Sequence, residues 1–120
     1  MERTARDRLL QDVEAFCRAL RPLEERCYLE RRFNDRLVPL AREHGLLGMP
    51  VPVDHGGRGA DMVTYARALA RIGREGTGVR TFFSGHSSIG QGPIIAWGND
   101  EQKRRFLPRS AGGEVVCASA

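Results

Sequence analysis

The sequence is poor in the residues that build rigid chemistry inside one chain. Its three cysteines, Cys17, Cys27 and Cys117, are odd in number and share no metal-ligand spacing, so reduced thiols are expected rather than a disulfide framework or a zinc site. No phosphate-binding glycine loop, GxGxxG turn, HExxH helix or paired CxxC occurs. The longest apolar runs, such as 46–47 and 94–97, fall far short of the roughly 20 residues that cross a bilayer. Residues 1–11 interleave Glu2 and Asp7 with arginines and hold no apolar run, so they read as neither secretion signal nor transit peptide. A cytoplasmic location is expected. Internal repeats and low-complexity segments are also missing.

What is present suits one ordinary folded domain. The 41% hydrophobic residues among 120 are enough for one core and too few for two, and the 28% charged residues argue against a membrane protein. A net charge of +4 invites nucleic acid, but arginines alternate with Glu and Asp through residues 12–32 instead of forming a stripe. Neither a nucleic-acid nor a membrane partner is expected.

Apolar residues at Leu9, Leu10, Val13, Phe16, Cys17 and Leu20 follow the three-and-four spacing of a buried helical stripe. Pro22 is expected to end or kink that helix, with a second helical stretch over 23–32. A third is signalled by Asn34 as N-cap and Gly45 as the left-handed stop, although Pro39 moves its start nearer Leu37. Residues 49–59, punctuated by Pro50, Pro52, Gly56, Gly57 and Gly59, read as a loop. Asp61 then caps a helix whose apolar face is Met62, Tyr65, Ala66, Leu69 and Ile72.

Residues 79–97 are apolar yet interrupted by Gly85, Gly90, Gly92 and Pro93. Each interior glycine costs a helix about 1 kcal/mol relative to alanine, so the stretch needs a compensating close approach to a ligand or another backbone. Gly98 stops it, and Asn99 with Gln102 three residues on is a near-match to the capping box for a basic helix that Pro108 should end. Val115, Val116 and Cys117 favour an extended strand after the Gly112–Gly113 turn. The expected fold is all-α: an up-and-down bundle of about five to six helices, ending at the start of a β-strand.

His44, His55 and His86 fall in different elements. His44 suits a helix C-terminus and His55 a loop. His86 stands beside Ser84, Ser87 and Ser88, but adjacency without a nucleophile elbow or an orienting third group does not make a nucleophile. No complete catalytic site is present, so any chemistry must be finished by residues outside these 120.

The string Gly85-His86-Ser87-Ser88-Ile89-Gly90-Gln91-Gly92-Pro93-Ile94-Ile95-Ala96-Trp97-Gly98-Asn99-Asp100-Glu101-Gln102-Lys103-Arg104-Arg105-Phe106-Leu107-Pro108 resembles the helical segment of acyl-CoA dehydrogenases, with its Ser-Leu-Gly, Pro-Ile, Glu-Gln-Lys and Tyr-Leu-Pro pattern. His44-Gly45-Leu46-Leu47-Gly48, Val51-Pro52, Gly56-Gly57-Arg58-Gly59 and the helix over 65–72 agree in the same order. The likeness covers nearly the whole chain.

The resemblance implies an N-terminal helical domain at 1–113 and the opening of a middle β-domain at 114–120. It implies α,β-dehydrogenation of an acyl thioester, on coenzyme A or a carrier protein, in a complete enzyme that holds FAD. A catalytic glutamate in the C-terminal domain takes the α-proton, the flavin takes the β-hydride, and electron-transferring flavoprotein accepts the electrons. The complete enzyme would be a homo-oligomer of fatty acid metabolism. Positions matching the acyl-chain wall are Phe82, Phe83, Gly85, Ser88 and Ile89; Ser119 matches a position near the flavin, but the chain alone is not expected to hold FAD. Val79-Arg80-Thr81-Phe82-Phe83-Ser84 resembles the glutaryl-CoA branch, in which residues matching Arg80 and Ser84 meet a distal carboxylate; Gly73 departs from that branch, which carries a glutamate there. A different expectation is a helical interaction module that kept the fold and lost the chemistry.

Overall fold

The computed structural model describes residues 1–120 as an all-helical chain. Helix α1 (Arg3–Leu29) carries the expected stripe, burying Leu9, Val13, Phe16, Cys17 and Leu20, and adds Cys27. Pro22 neither ends nor divides it: 23–32 is no separate helix, and α1 runs on to Leu29. The ring of Pro22 lies on the exposed side, where water can satisfy the carbonyl that loses its partner, while the buried stripe continues on the other side. Past its C-cap Glu30 the chain turns at Arg31, a non-glycine residue at φ 54, with the Arg32 amide donating back to the Cys27 carbonyl at 3.0 Å.

Helix α2 (Leu37–Glu43) starts at the later of the two expected points. Asn34 is a turn builder ahead of it: its Oδ1 accepts from the Arg36 amide at 3.0 Å and its carbonyl from the Leu37 amide at 3.1 Å. Gly45, at φ 66, ends α2, and His44 Nδ1 lies 2.9 Å from the Leu40 carbonyl at that end. The loop that follows is folded back on itself by amide bonds from Gly59 to Val51 and from Ala60 to Met49. It tolerates only glycine at position 57, where a Cβ would lie 2.0 Å from the Val51 carbonyl oxygen.

Asp61 caps α3 (Met62–Ile72) through a 2.8 Å bond from the Thr64 amide. Its buried face is Thr64, Tyr65, Ala68 and Ile72, turned away from the expected one: Met62 is 77% exposed and Ala66 faces solvent. Tyr65 and Ile72 fit both faces, and packing against α1 selects the side that includes the small Ala68. A 3₁₀ turn (Gly73–Glu75) leads into α4 (Thr77–Phe83), a π-helical segment (Ser84–Gln91) and α5 (Gly92–Trp97), which follow one another without a break. The capping box at Asn99 and Gln102 opens α6 (Asp100–Ala111). Pro108 sits exposed inside α6, which continues three residues beyond it, so that proline is not the stop either.

The core joins α1, α2, the 46–49 loop, α3 and α4 through Leu9, Phe16, Leu20, Leu40, Leu47, Met49, Tyr65, Ile72, Val79 and Phe83. Beyond Gly113, residues 116–120 form no strand; with no second strand to pair, their extended preference yields no ladder. No helix is long and apolar enough to cross a membrane.

Candidate functional site: a widened helical turn and the segment that returns to it

Residues 84–91 solve the problem posed by their glycines by winding as a π-helix, a rare form that concentrates at functional positions. Gly85 faces open space, with nothing near an added Cβ. Gly90 is the opposite case: a Cβ there would lie 2.1 Å from that of Cys117, so the C-terminal segment comes down directly upon it.

The structure separates the expected wall residues into three groups. Ser88 and Ile89 reach the surface, Ile89 with 54% exposure, and Gly85 and Ser84 are half-buried beside them. Phe82 is half-buried, its ring parallel to that of His86 at 6.2 Å between centroids. Phe83 belongs to the core instead: it is fully buried, edge-on to Phe16 at 5.6 Å, and offers no surface to a ligand. Arg80 is exposed and makes no ion pair, its stem lying across Gly73, where an added Cβ would come within 3.4 Å of Arg80 Cδ. Arg80 and Ser84, four residues apart, follow one side of the helix. Ser119 is exposed at the end of the returning segment.

His86 is the residue whose role sequence reasoning missed. None of the neighbouring serine hydroxyls bonds to it, so no Ser–His pair exists. Its Nε2 lies 2.9 Å from the Leu47 carbonyl and 3.2 Å from that of Ser110, while Nδ1 accepts from the Cys117 amide at 3.0 Å. Two carbonyl acceptors on one side and an amide donor on the other require the neutral ring with its proton on Nε2. Burial lowers its pKa, against the opposing influence of the two carbonyls. Gln91, also buried, donates to the Leu47 carbonyl at 2.8 Å and to Ser110 Oγ at 3.0 Å. These partners lie 19 to 44 residues away in the chain, so no local pattern announces them. Tyr65, read as plain core, also carries a polar duty, with its hydroxyl 2.8 Å from Ser88 Oγ.

Elsewhere, Glu75 receives Arg21 (2.6 Å) and Arg71 (2.8 Å), and Arg71 also grips Glu14, tying α1, α3 and the 3₁₀ turn together. These arginines hold the Glu75 carboxyl well down, to about 2. Burial pushes the Cys17 thiol up to about 11 and raises that of Cys117, so neither is an activated nucleophile. A groove of about 610 Å³ beside the C-terminal part of α1 is lined by Glu24, Glu25 and Glu75 with Tyr28 and Leu29, away from the π segment.

Against known proteins, residues 4–114 match the family model described as acyl-CoA dehydrogenase, N-terminal domain. An acyl-CoA dehydrogenase of Bacillus subtilis is 41% identical over 88 residues, covering 73% of this chain and 23% of that protein. The very long-chain specific mitochondrial enzyme of Rattus norvegicus is 37% identical over 90 residues, 75% of this chain and 14% of its own length. Among solved structures, an acyl-CoA dehydrogenase complexed with FAD from Bacillus anthracis superposes with a TM-score of 0.80 at 34% identity, covering 98% of this chain and 20% of that one. A structure titled as the electron transferring flavoprotein of Acidaminococcus fermentans gives 0.77 at 26% identity, covering 94% and 29%. The chain thus spans less than a quarter of the length of these two curated relatives.

Proposed function

The chain belongs to the acyl-CoA dehydrogenase family, matching its N-terminal domain, and from that premise we propose that it forms one wall of the acyl pocket in a flavin-dependent enzyme that dehydrogenates acyl thioesters across the α,β bond. The division at 113/114, with 114–120 opening a β-domain, is part of the same reading. The observation that carries it is the π segment: a helix wound wide at its glycines, exposing Ser88 and Ile89 next to the half-buried Phe82. Apolar surface beside residues without side chains is what a thioester tail needs, at about 0.8 kcal/mol for each methylene it buries.

FAD is the cofactor of the complete enzyme in this proposal, but the residues present do not form its cradle. Glu24, Glu25 and Glu75 line the groove of about 610 Å³, and carboxylates oppose a pyrophosphate. Ser119 alone, exposed near the chain end, supplies an edge contact. The chain's own contribution is to bind and orient the acyl tail and to exclude water from it. Arg80 with Ser84 would receive a distal carboxylate where the acyl group has one, since an unpaired guanidinium matches that group bidentately. Electron-transferring flavoprotein as acceptor, homo-oligomeric assembly and a cytoplasmic role in fatty acid metabolism complete the proposal.

The test is anaerobic titration of the purified gene product that carries this chain with saturated acyl-CoA of several lengths. Bleaching of the flavin absorbance supports the proposal. A product that carries no flavin and forms complexes through this domain would support the second reading, a non-catalytic interaction module. The exposed Trp97 (84%), beside Ile94 and Phe106 on a shared surface groove, favours that reading.

A further inference from the structure

The segment after α6 turns at Gly113 (φ 78), whose carbonyl accepts from Arg42 at 2.7 Å, and comes back to the π segment at Cys117. Two independent observations meet there. Cys117 Cβ occupies the space that any side chain at position 90 would need. The Cys117 amide is spent on His86 Nδ1, a buried acceptor whose ring is fixed at its far side by the Leu47 and Ser110 carbonyls. The Phe82 ring lies parallel to the imidazole, and Gln91 shares the Leu47 acceptor. The returning segment is therefore held by an imidazole that the fold itself has oriented, two residues before Ser119.

We propose that His86 is a positioning residue: its unprotonated Nδ1 clasps the Cys117 backbone over Gly90 and so sets where residues 118–120, Ser119 included, are presented. The clasp is a property of this chain; only its consequence for a flavin rests on the function proposed above. It differs from a generic buried histidine because its two nitrogens have separable tasks. Nε2 anchors the ring to the 47 loop and the end of α6, and Nδ1 holds the segment.

The experiment is amide hydrogen exchange at Cys117, read by NMR on the full chain and on two variants. His86→Gln places an amide nitrogen near Nε2, keeping the donor to Leu47 and leaving nothing at Nδ1. His86→Asn leaves an oxygen near Nδ1 and abandons Leu47. Loss of one hydrogen bond should accelerate Cys117 exchange about tenfold in His86→Gln, with α1 and α3 amides unchanged, and leave it near the unmodified rate in His86→Asn. Equal acceleration in both variants, or Cys117 exchanging in the unmodified chain as freely as Ala120, overturns the clasp. Imidazole ¹⁵N shifts of the unmodified chain decide the matter even where a variant fails to fold: an Nε2-protonated ring is required, and an Nδ1-protonated ring overturns the proposal. A holoenzyme whose flavin proves remote from Ser119 would sink the flavin reading and leave the clasp standing.

Discussion

Tyr65 on α3 and Ser88 on the π segment meet hydroxyl to hydroxyl at 2.8 Å, the one polar bond from the buried face of α3 to the widened turn. Ser88 is exposed and can turn to water, so the bond is dispensable for folding. Tyr65→Phe should lower stability by only about 1 kcal/mol, whereas Phe83→Ala, which empties a core position, should cost about 3–5 kcal/mol. Denaturant midpoints check the contrast; equal losses would mean that Tyr65 holds the segment in place.

Acid should weaken the tie among Arg21, Arg71 and Glu75. A carboxyl held at about 2, against an ordinary 4.5, contributes its full stabilisation above pH 4.5 and loses it as the pH falls toward 2. The Glu75 side chain is only 2% exposed but Arg21 is half in solvent, which holds the contribution to roughly 2 kcal/mol. Glu75→Gln should therefore be less stable at neutral pH and show a flatter stability curve between pH 4.5 and 2. An acid limb unchanged by the substitution would place the linkage elsewhere.

His86 titrates in the same sense for a different reason. Its folded pKa lies below the ordinary 6.5, so the neutral ring favours folding above that value, and stability falls as the pH drops below about 6.5 toward the folded pKa. Denaturation curves at closely spaced pH values should show this slope in the unmodified chain and a reduced one in His86→Asn. Stability independent of pH from 7 to 5 in the unmodified chain would contradict it.

Gly90→Ala separates the returning segment from the fold. Alanine gains helix propensity of about 1 kcal/mol, but its Cβ and that of Cys117 cannot share the space. The variant should melt no lower than the parent while its Cys117 thiol is alkylated faster, as mass spectrometry after timed labelling would reveal. Unchanged labelling would mean that the segment is free already.

Arg80→Ala tests the carboxylate anchor in the complete enzyme. A charge-assisted pair in a dry pocket contributes about 1.5–3 kcal/mol, so kcat/KM on glutaryl thioester should fall roughly tenfold or more while butyryl thioester is spared. Equal losses on both substrates would reduce Arg80 to a surface cation.

The starts of α3 and α6 were readable because their caps are local, whereas Asn34 does not cap α2. Asp61 reaches the Thr64 amide and Asn99 exchanges bonds with Gln102, all within three residues. The prolines misled because their cost is small on a solvent face: the α1 stripe buries residues on either side of Pro22, and the continuing helix wins. The α3 face was misjudged at Met62, where nothing in the sequence says that no neighbour covers the first turn. Irregularity in 84–91 was legible from its glycines, and its π form was not, because Gly90 answers to Cys117, 27 residues further along the chain. Arg80, Ser88 and Ile89 could be named from a resemblance, whereas the bonds of His86 exist only once distant segments have met.

The wide winding of 84–91 carries a further consequence for how the gene can vary. The residues of α5 are rotated about the helix axis relative to where a plain α-helix of the same length would put them. Removing a single codon there would let the stretch relax to ordinary pitch. Pro93, Ile94 and Trp97 would keep nearly their present side of the helix, but the wide turn beneath Cys117 would be lost. Related sequences that keep this wide turn should accordingly keep the number of residues between Ser84 and Gln91 constant and glycine at position 90.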